Sequence, residues 1–216
     1  MMKWSVLCVA MIITVLSCNV ALAGEQTPTE AIKNAVDNII NVISDKKYNT
    51  MKDGADKRYA DLESTVDKSF DFGDLSARSV GKPWLDFTPQ QREAFIDAFS
   101  TLLKKTYIQK LGDYNGEKVD YLNEKVRGNR AMVLTQIEQN QKIIPVNYKL
   151  VKKNSWMVYD VIVEGVSLVK NYRVQFSKLL RNKSVEEVIE QIRERLQKLE
   201  EKSAEDNSQA TFTDIS

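Results

Sequence analysis

Four segments in the middle of the chain alternate apolar and polar side chains with a period of two residues. Short polar segments at residues 127–130, 139–142 and 152–155 separate them at nearly even spacing. Such alternation is typical of β-strands that bury one face, and short polar turns join neighbouring antiparallel strands. The pattern therefore predicts a four-stranded antiparallel meander with one apolar face. The positions assigned to that face are Val119, Tyr121 and Asn123, then Ala131, Val133, Thr135 and Ile137, then Ile144, Val146, Tyr148 and Leu150, and finally Met157, Tyr159, Val161 and Val163.

The segments on both sides of this region repeat apolar residues every three to four positions, which predicts amphipathic helices. The first of them starts near Thr29. Thr88 with Gln91 has the spacing of a capping box at a second helix start. Ser184 with Glu187 has the same spacing before the last helix. Because a sheet with one apolar face needs a cover, we expect an α+β fold in which N-terminal and C-terminal helices cover the meander.

The first 23 residues have the features of a secretory signal peptide. Lys3 supplies the positive start, and Val6 to Leu16 form an apolar core that is too short to span a bilayer. Ala21 and Ala23 place small residues where signal peptidase requires them. We therefore expect the mature protein to begin near Gly24 and to work outside the cytoplasm.

Both cysteines of the chain, Cys8 and Cys18, lie inside this predicted leader. Cleavage after Ala23 leaves a domain with no disulfide, no thiol nucleophile and no cysteine metal site. Residues 15–18 also resemble a lipoprotein cleavage site, and cleavage there would leave a lipidated Cys18 on a short tether. We favour ordinary cleavage, because residues 21–24 form the cleaner site.

The composition excludes several classes of function. The chain has no histidine, which excludes Ser-His-Asp and Cys-His catalysis and histidine-ligated zinc. A net charge of +1 argues against a nucleic-acid partner. Chemistry that uses carboxylates alone stays open, but no pair of acids stands out. Asp160 is interpreted as the partner of a cation such as Arg173, so we expect no enzymatic activity, no cofactor and no metal.

The large apolar side chains of these elements permit two interpretations. They either form a close-packed core, or the sheet and helices leave an apolar cavity for a ligand, with a few polar groups at its mouth. Periodicity does not separate the two, because a filled and a hollow structure require the same pattern.

Several motifs of the chain resemble those of one known family. The most specific stretch runs from Trp156 to Phe176 and contains Val158-Tyr159-Asp160-Val161 and Asn171-Tyr172-Arg173. The other motifs are Gly81-Lys82-Pro83-Trp84, Thr88-Pro89-Gln90-Gln91-Arg92 with Phe95, Phe99, Leu102, Leu103 and Tyr107, and Ile144-Pro145-Val146-Asn147-Tyr148. These motifs resemble those of the MlaC or toluene-tolerance (Ttg2-type) family of periplasmic phospholipid-binding proteins. They occur in the same order as in that family, and the resemblance extends from about Thr29 to Leu199.

The resemblance implies a carrier with an apolar pocket between sheet and helices. Such a carrier moves phospholipid between an outer-membrane lipoprotein–porin complex and an inner-membrane ABC transporter with MCE domains, which maintains outer-membrane lipid asymmetry. It implies a monomer that catalyses nothing, and Lys149 and Arg173 are the candidates for contact with the head group. The residues expected to contact lipid are Trp84, Phe95, Phe99, Leu102, Tyr107, Val133, Val146, Tyr148, Tyr159, Val161, Val163 and Val166.

Three parts of the chain are expected: a signal peptide at 1–23, a lipid-binding domain at 24–202 and a polar, disordered tail at 203–216. Two alternatives to a phospholipid carrier remain. The same fold could carry a hopanoid-like lipid, since pocket shape decides between fused rings and two chains. The chain could also be a periplasmic interaction module or chaperone whose aromatic side chains form an ordinary core.

Overall fold

The structure is a computed structural model that describes residues 25–109, 111, 114–139 and 141–213. The expected signal peptide lies outside these residues. Within them, helices flank a single sheet, and two short 3₁₀ helices, Lys46–Thr50 and Lys82–Asp86, connect helices. The elements are α1 (Pro28–Ser44), α2 (Gly54–Ser69), α3 (Phe72–Val80), α4 (Pro89–Ile108), β1 (Lys118–Arg127), β2 (Arg130–Gln139), β3 (Lys142–Lys152), β4 (Trp156–Val163), β5 (Val166–Ser167), α5 (Leu168–Leu179) and α6 (Val185–Thr213).

The sheet is an antiparallel meander in the order β1-β2-β3-β4-β5, which confirms the predicted α+β fold. It has five strands rather than the predicted four. Glu164 and Gly165 both have positive φ, 50° and 82°, as a two-residue hairpin turn requires. This turn pairs Val163 with Val166, so the chain adds a short fifth strand before it leaves the sheet.

A β-bulge in β4 changes which residues share a face. Lys149 pairs with Asp160 and Leu150 pairs with Val158, so Tyr159 is the extra residue. A one-residue insertion moves all earlier side chains of the strand to the other face. Val158 therefore shares a face with Val161, and the predicted face was wrong for Met157 and Tyr159. We call the face that carries Val133, Tyr148 and Val161 the inner face.

Helix α1 packs on the inner face. Ile32 belongs to a buried cluster with Val133, Leu150 and Val158. The start of α1 is fixed to β1, because both the amide and the hydroxyl of Thr29 donate hydrogen bonds to the Glu124 carboxylate, at 2.9 and 2.6 Å. The sheet and α1 are thereby held in a defined register.

A second core lies among α3, α4, α5 and α6. Phe95 and Phe99 of α4 meet Tyr172 and Phe176 of α5 edge to face in it, with ring centroids 4.8–5.0 Å apart. Tyr172 and Phe176 stack on each other at 5.8 Å. Such contacts between rings add to the free energy of apolar burial. We call this cluster the helical core.

Both predicted capping boxes are present. The Thr88 amide donates to Gln91 at 2.8 Å and the Gln91 amide donates back to the Thr88 hydroxyl at 3.2 Å. Ser184 and Glu187 exchange the same pair of bonds before α6. These caps satisfy backbone amides that a helix start leaves without partners.

Helix α6 is longer than the sequence predicts. Its backbone continues to Thr213, whereas we expect a disordered tail from Ser203; residues 214–216 lie outside the described part. Within the described residues, no helix combines the length and the hydropathy needed to cross a bilayer.

Candidate functional site

An apolar cavity of about 480 Å³ lies between the inner face of the sheet and the helices. Its sheet wall consists mainly of short, branched side chains. Its helical wall is formed by successive turns of α1 and α4 and by the aromatic residues at the junction of α2 and α3. The sheet side is lined by Tyr148, Val158, Val161, Val163 and Val166, and the helical side by Ile32, Ala35, Val36, Ile39, Val66, Phe70, Phe72, Leu75, Leu103, Lys104, Tyr107, Ile108, Leu111, Leu168 and Asn171.

The cavity lies beside the place where α1 packs most closely on the sheet. Ile32 of α1 packs on Leu150 and Val158, but further along β4 the inner face presents only Val161 and Val163. These valine side chains are short, and both of them line the cavity. Five of the residues expected to contact lipid line this space: Tyr107, Tyr148, Val161, Val163 and Val166.

The cavity opens beside the β4–β5 hairpin. Val163 and Val166 line it and are nevertheless 43% and 63% exposed, as is Tyr107 of α4 at 41%. Phe72 and Leu75 line it at greater depth, and Leu75 is fully buried. The mouth therefore lies between the hairpin and the end of α4.

Four lining residues carry polar groups: Lys104, Tyr107, Tyr148 and Asn171. Burial, followed by the nearby Tyr121 hydroxyl, raises the pKa of Tyr148 to about 12. An unperturbed tyrosine titrates near pH ~10. The Tyr148 phenol therefore stays neutral and can donate a hydrogen bond to a ligand.

We expect Tyr148→Phe to gain stability relative to the wild type as the pH rises from ~10 to ~12. In this window the unfolded chain releases the Tyr148 proton and the folded chain retains it, so the wild type loses stability. Two pKa units correspond to at most about 2.7 kcal/mol of unfolding free energy. Urea unfolding of both proteins below and above the window measures the effect, and a difference that does not change with pH would contradict this environment for Tyr148.

The structure places the other expected residues away from the cavity. Phe95, Phe99 and Leu102 lie in the helical core, and Trp84 packs against it. Val133 is fully buried under α1, and Val146 is buried on the inner face opposite Val163. The periodicity of α4 correctly marked Phe95, Phe99 and Leu102 as buried. It could not show whether they lie in the helical core or on the cavity wall.

The bulge explains the position of Tyr159. Its ring lies under the guanidinium of Arg78, with Cζ 4.3 Å from the ring centroid, which is the geometry of a cation–π contact. Tyr159 thus contacts α3 and does not line the cavity.

Neither head-group candidate lines the cavity. Lys149 lies on the opposite face of the sheet, where its Nζ is 3.0 Å from the buried Asp160 carboxylate. Arg173 donates hydrogen bonds to the carbonyl of Arg78 near the end of α3. Asp160 pairs with a cation, as predicted, but the cation is Lys149 rather than Arg173, because the register of β3 with β4 brings Lys149 opposite Asp160.

Asp160 anchors the turn from the sheet into α5. Its carboxylate is 2% exposed and accepts hydrogen bonds from the Ser167 hydroxyl at 2.8 Å and the Val169 amide at 3.1 Å. The Ser167 hydroxyl in turn accepts from the amide of Lys170, which caps α5. This network positions Val166 and Leu168 on the cavity wall.

Of the helical wall, the sequence predicted only Tyr107 as a lipid contact. The periodicity of α1 predicted an apolar stripe from Ile32 to Ile39, but it did not show which surface the stripe packs against. Phe70 and Phe72 stack at 5.7 Å where α2 meets α3. Lys104 was missed because a lysine in an amphipathic helix is ordinarily a solvated residue.

Comparison with known proteins gives three matches. The family model described as MlaC protein matches residues 33–194. The chain is 24% identical over 200 residues to the intermembrane phospholipid transport system binding protein MlaC of Haemophilus influenzae, which covers 87% of this chain and 90% of that protein. A solved structure of the phospholipid-binding protein from Ralstonia solanacearum, in complex with a phospholipid, matches with a TM-score of 0.72 and 22% identity over 81% of this chain and 99% of that one.

The structural match establishes a shared fold, and the sequence match establishes the family. The matched residues 33–194 include α2 to α5, the whole sheet, and most of α1, so they contain nearly every wall of the cavity. Because the family model covers most of the sequence, the chain belongs to the MlaC protein family.

Proposed function

We propose that this protein is a periplasmic carrier that binds phospholipid in the cavity and catalyses no reaction. The observation that carries the proposal is the cavity itself, a space of about 480 Å³ with almost wholly apolar walls beside a well-packed helical core. Such walls suit acyl chains, because they present few polar groups that the ligand would leave unpaired. The names of the Haemophilus and Ralstonia relatives, which refer to phospholipid, support this choice of ligand.

Carriage requires a balance of affinities. Each methylene that leaves water contributes about 0.8 kcal/mol, so acyl chains strongly favour an apolar cavity over solution. The same methylenes gain a similar free energy in a bilayer. A valine-lined wall that resembles the bilayer interior therefore allows lipid to enter from one membrane and to leave for another.

The position of the mouth defines how the lipid lies. Acyl chains occupy the depth of the cavity towards Leu75 and Phe72, and the head group stays near the exposed Val163, Val166 and Tyr107. A phosphate at this position keeps its contact with water, which avoids the cost of burying a charge.

We further propose that the carrier moves lipid between an outer-membrane lipoprotein–porin complex and an inner-membrane ABC transporter with MCE domains. This transport maintains outer-membrane lipid asymmetry. The leader-like sequence of residues 1–23 supports export into the compartment between these membranes. The name of the Haemophilus relative, which refers to intermembrane phospholipid transport, agrees with such a route. The carrier acts as a monomer without a cofactor.

Transfer of a fluorescent phospholipid between two vesicle populations tests the proposal. The mature protein is expected to accelerate transfer in proportion to its concentration, because it shields the acyl chains while they cross water. Preferential transfer of a fused-ring lipid would favour the hopanoid-like alternative. No acceleration by a folded sample would favour the interaction module.

A further inference from the structure

One polar group in the cavity wall lacks a partner among the described residues. Four lining residues carry polar side chains, and three of these contact other side chains: Lys104 with Asp67, Asn171 with Gln175 and Tyr107 with Tyr172. The hydroxyl of the fourth, Tyr148, forms no hydrogen bond with any residue that the structure describes. A polar group that stays unpaired in an apolar place costs free energy, so such groups ordinarily have a partner. A bound ligand can supply the partner that Tyr148 lacks.

The packing around Tyr148 leaves its hydroxyl accessible from the cavity. The ring packs against the buried cluster that contains Val133, Leu150 and Val158. The nearby Tyr121 packs on the same cluster, but it does not line the cavity and its hydroxyl is sealed from solvent, unlike that of Tyr148. A ligand in the cavity therefore reaches Tyr148 and not Tyr121. Burial raises the pKa of Tyr148 to about 12, so the hydroxyl keeps its proton at neutral pH and acts as a donor.

The depth of Tyr148 matches the depth of an ester group in a bound phospholipid. Tyr148 pairs with Val161, which lies two residues, or roughly 7 Å, further along the strand from the mouth than Val163. About five covalent bonds of roughly 1.5 Å separate the phosphorus of a phospholipid from its nearer ester carbonyl, so this carbonyl reaches about 6 Å below the phosphate. A phosphate beside Val163 and Val166 therefore brings an ester carbonyl to the level of Tyr148.

We propose that the Tyr148 hydroxyl donates a hydrogen bond to an ester carbonyl of the bound phospholipid and thereby selects ester-linked lipid. This inference rests on the proposed function. In a dialkyl ether phospholipid a methylene group replaces each ester carbonyl, so the Tyr148 hydroxyl loses its acceptor while the head group and the apolar chains stay the same. A site that provides a hydrogen-bond donor rejects an analogue without the acceptor, because the buried donor is then left unpaired.

Competitive loading tests the selectivity. Delipidated protein is incubated with vesicles that contain equal amounts of diester and dialkyl ether phosphatidylethanolamine with chains of equal length, and the bound lipids are measured by mass spectrometry. The wild type is expected to enrich the diester roughly fivefold, the factor that one neutral hydrogen bond contributes. Tyr148→Phe keeps the ring and removes only the hydroxyl, so it is expected to bind the two lipids in nearly equal amounts.

Tyr159 of the neighbouring strand provides the matched control. Its ring contacts Arg78 of α3, and it does not line the cavity. Tyr159→Phe should therefore keep the wild-type ratio of diester to ether lipid. The loss in Tyr148→Phe should fall on the diester alone, with binding of the ether lipid unchanged. Equal losses of both lipids in Tyr148→Phe would show that the hydroxyl acts on packing and would contradict the hydrogen bond.

Infrared spectroscopy observes the proposed bond directly. Phospholipid with an isotope label at its ester carbonyls is bound to the protein, and the carbonyl stretching band is compared between the wild type and Tyr148→Phe. A hydrogen-bonded carbonyl absorbs at a lower frequency than a free one. We expect part of the band to lie at the lower frequency in the wild type and to return to the higher frequency in the variant, and identical bands would contradict the contact.

The outcomes separate this inference from the function on which it rests. Diester and ether lipid bound in the ratio of the vesicles, or an enrichment that Tyr148→Phe does not change, would overturn the ester contact and leave the carrier intact. A folded wild type that takes up neither lipid would overturn the carrier and the ester contact together.

Discussion

Val161→Trp is expected to lower the affinity for phospholipid by ~50-fold. Val161 lines the middle of the cavity wall, so an indole at this position occupies space that the acyl chains need. Displacing about three methylenes costs about 2.4 kcal/mol, which corresponds to this factor in the dissociation constant. The measurement is titration of delipidated protein with vesicles, with bound lipid determined after separation, and a circular-dichroism melt to establish that the variant is folded.

The neighbouring Ile162 provides the matched control. It pairs with Asn147 on the opposite face of the sheet and does not line the cavity. Ile162→Trp should therefore leave affinity close to the wild-type value while adding the same side chain to the same strand. Equal losses of affinity in the two variants would show that the effect comes from the strand and not from the cavity. Unchanged affinity in a folded Val161→Trp variant would exclude this space as the lipid site.

Asp160→Ala is expected to lower the free energy of unfolding by about 3 kcal/mol. The Asp160 carboxylate is only 2% exposed. Its removal leaves three donors without their acceptor: the Lys149 ammonium, the Ser167 hydroxyl and the Val169 amide. Urea unfolding at neutral pH measures the loss. The same variant should retain lipid less well, because the turn into α5 carries Leu168 to the cavity wall.

A second substitution separates the charge from the hydrogen bonds. Lys149→Met in the Asp160→Ala background removes the unpaired ammonium and should restore part of the lost stability. Asp120→Ala, at an exposed pair with Lys118 on β1, is the surface control and should cost much less. A loss as large at Asp120 as at Asp160 would contradict the anchoring role. Turnover of a lipid or ester that Asp160→Ala abolishes would instead reveal a catalytic carboxylate.

Local signals in the sequence predicted most of the architecture. The capping boxes at Thr88 and Ser184 depend on residues three positions apart, and both are present in the structure. The alternation in β2 and β3 correctly identified one face, because those strands pair without interruption along their length. Caps and hydrophobic periodicity can be predicted from the sequence because they depend on residues that are close together in the chain.

Features that depend on pairing between elements could not be predicted in the same way. The extra residue at Tyr159 is visible only once Lys149 and Asp160 are paired, and it moved Tyr159 away from the cavity. Phe95 and Phe99 have the same helical periodicity as Tyr107, yet only Tyr107 lines the cavity. Buried side chains that fill a core and side chains that line a hollow share one hydrophobic pattern, so their separation required the packing of α1, α4 and the sheet.

The charged residues show the same limit. Lys149 and Arg173 were the candidates for contact with the head group, whereas in the structure both of them join elements of the fold. Lys104 gave no signal of its own, because only the packing of α4 against α2 shows that it pairs with Asp67 and lines the cavity.

Lipid analysis of the protein as the cell makes it tests the central claim most directly. The mature protein is purified from a periplasmic fraction without detergent, extracted with organic solvent, and its lipid is quantified by mass spectrometry against protein concentration. The carrier account predicts near-stoichiometric glycerophospholipid, with a chain count that matches the cavity. A folded preparation that contains no lipid would contradict the account and would leave the cavity without its proposed ligand.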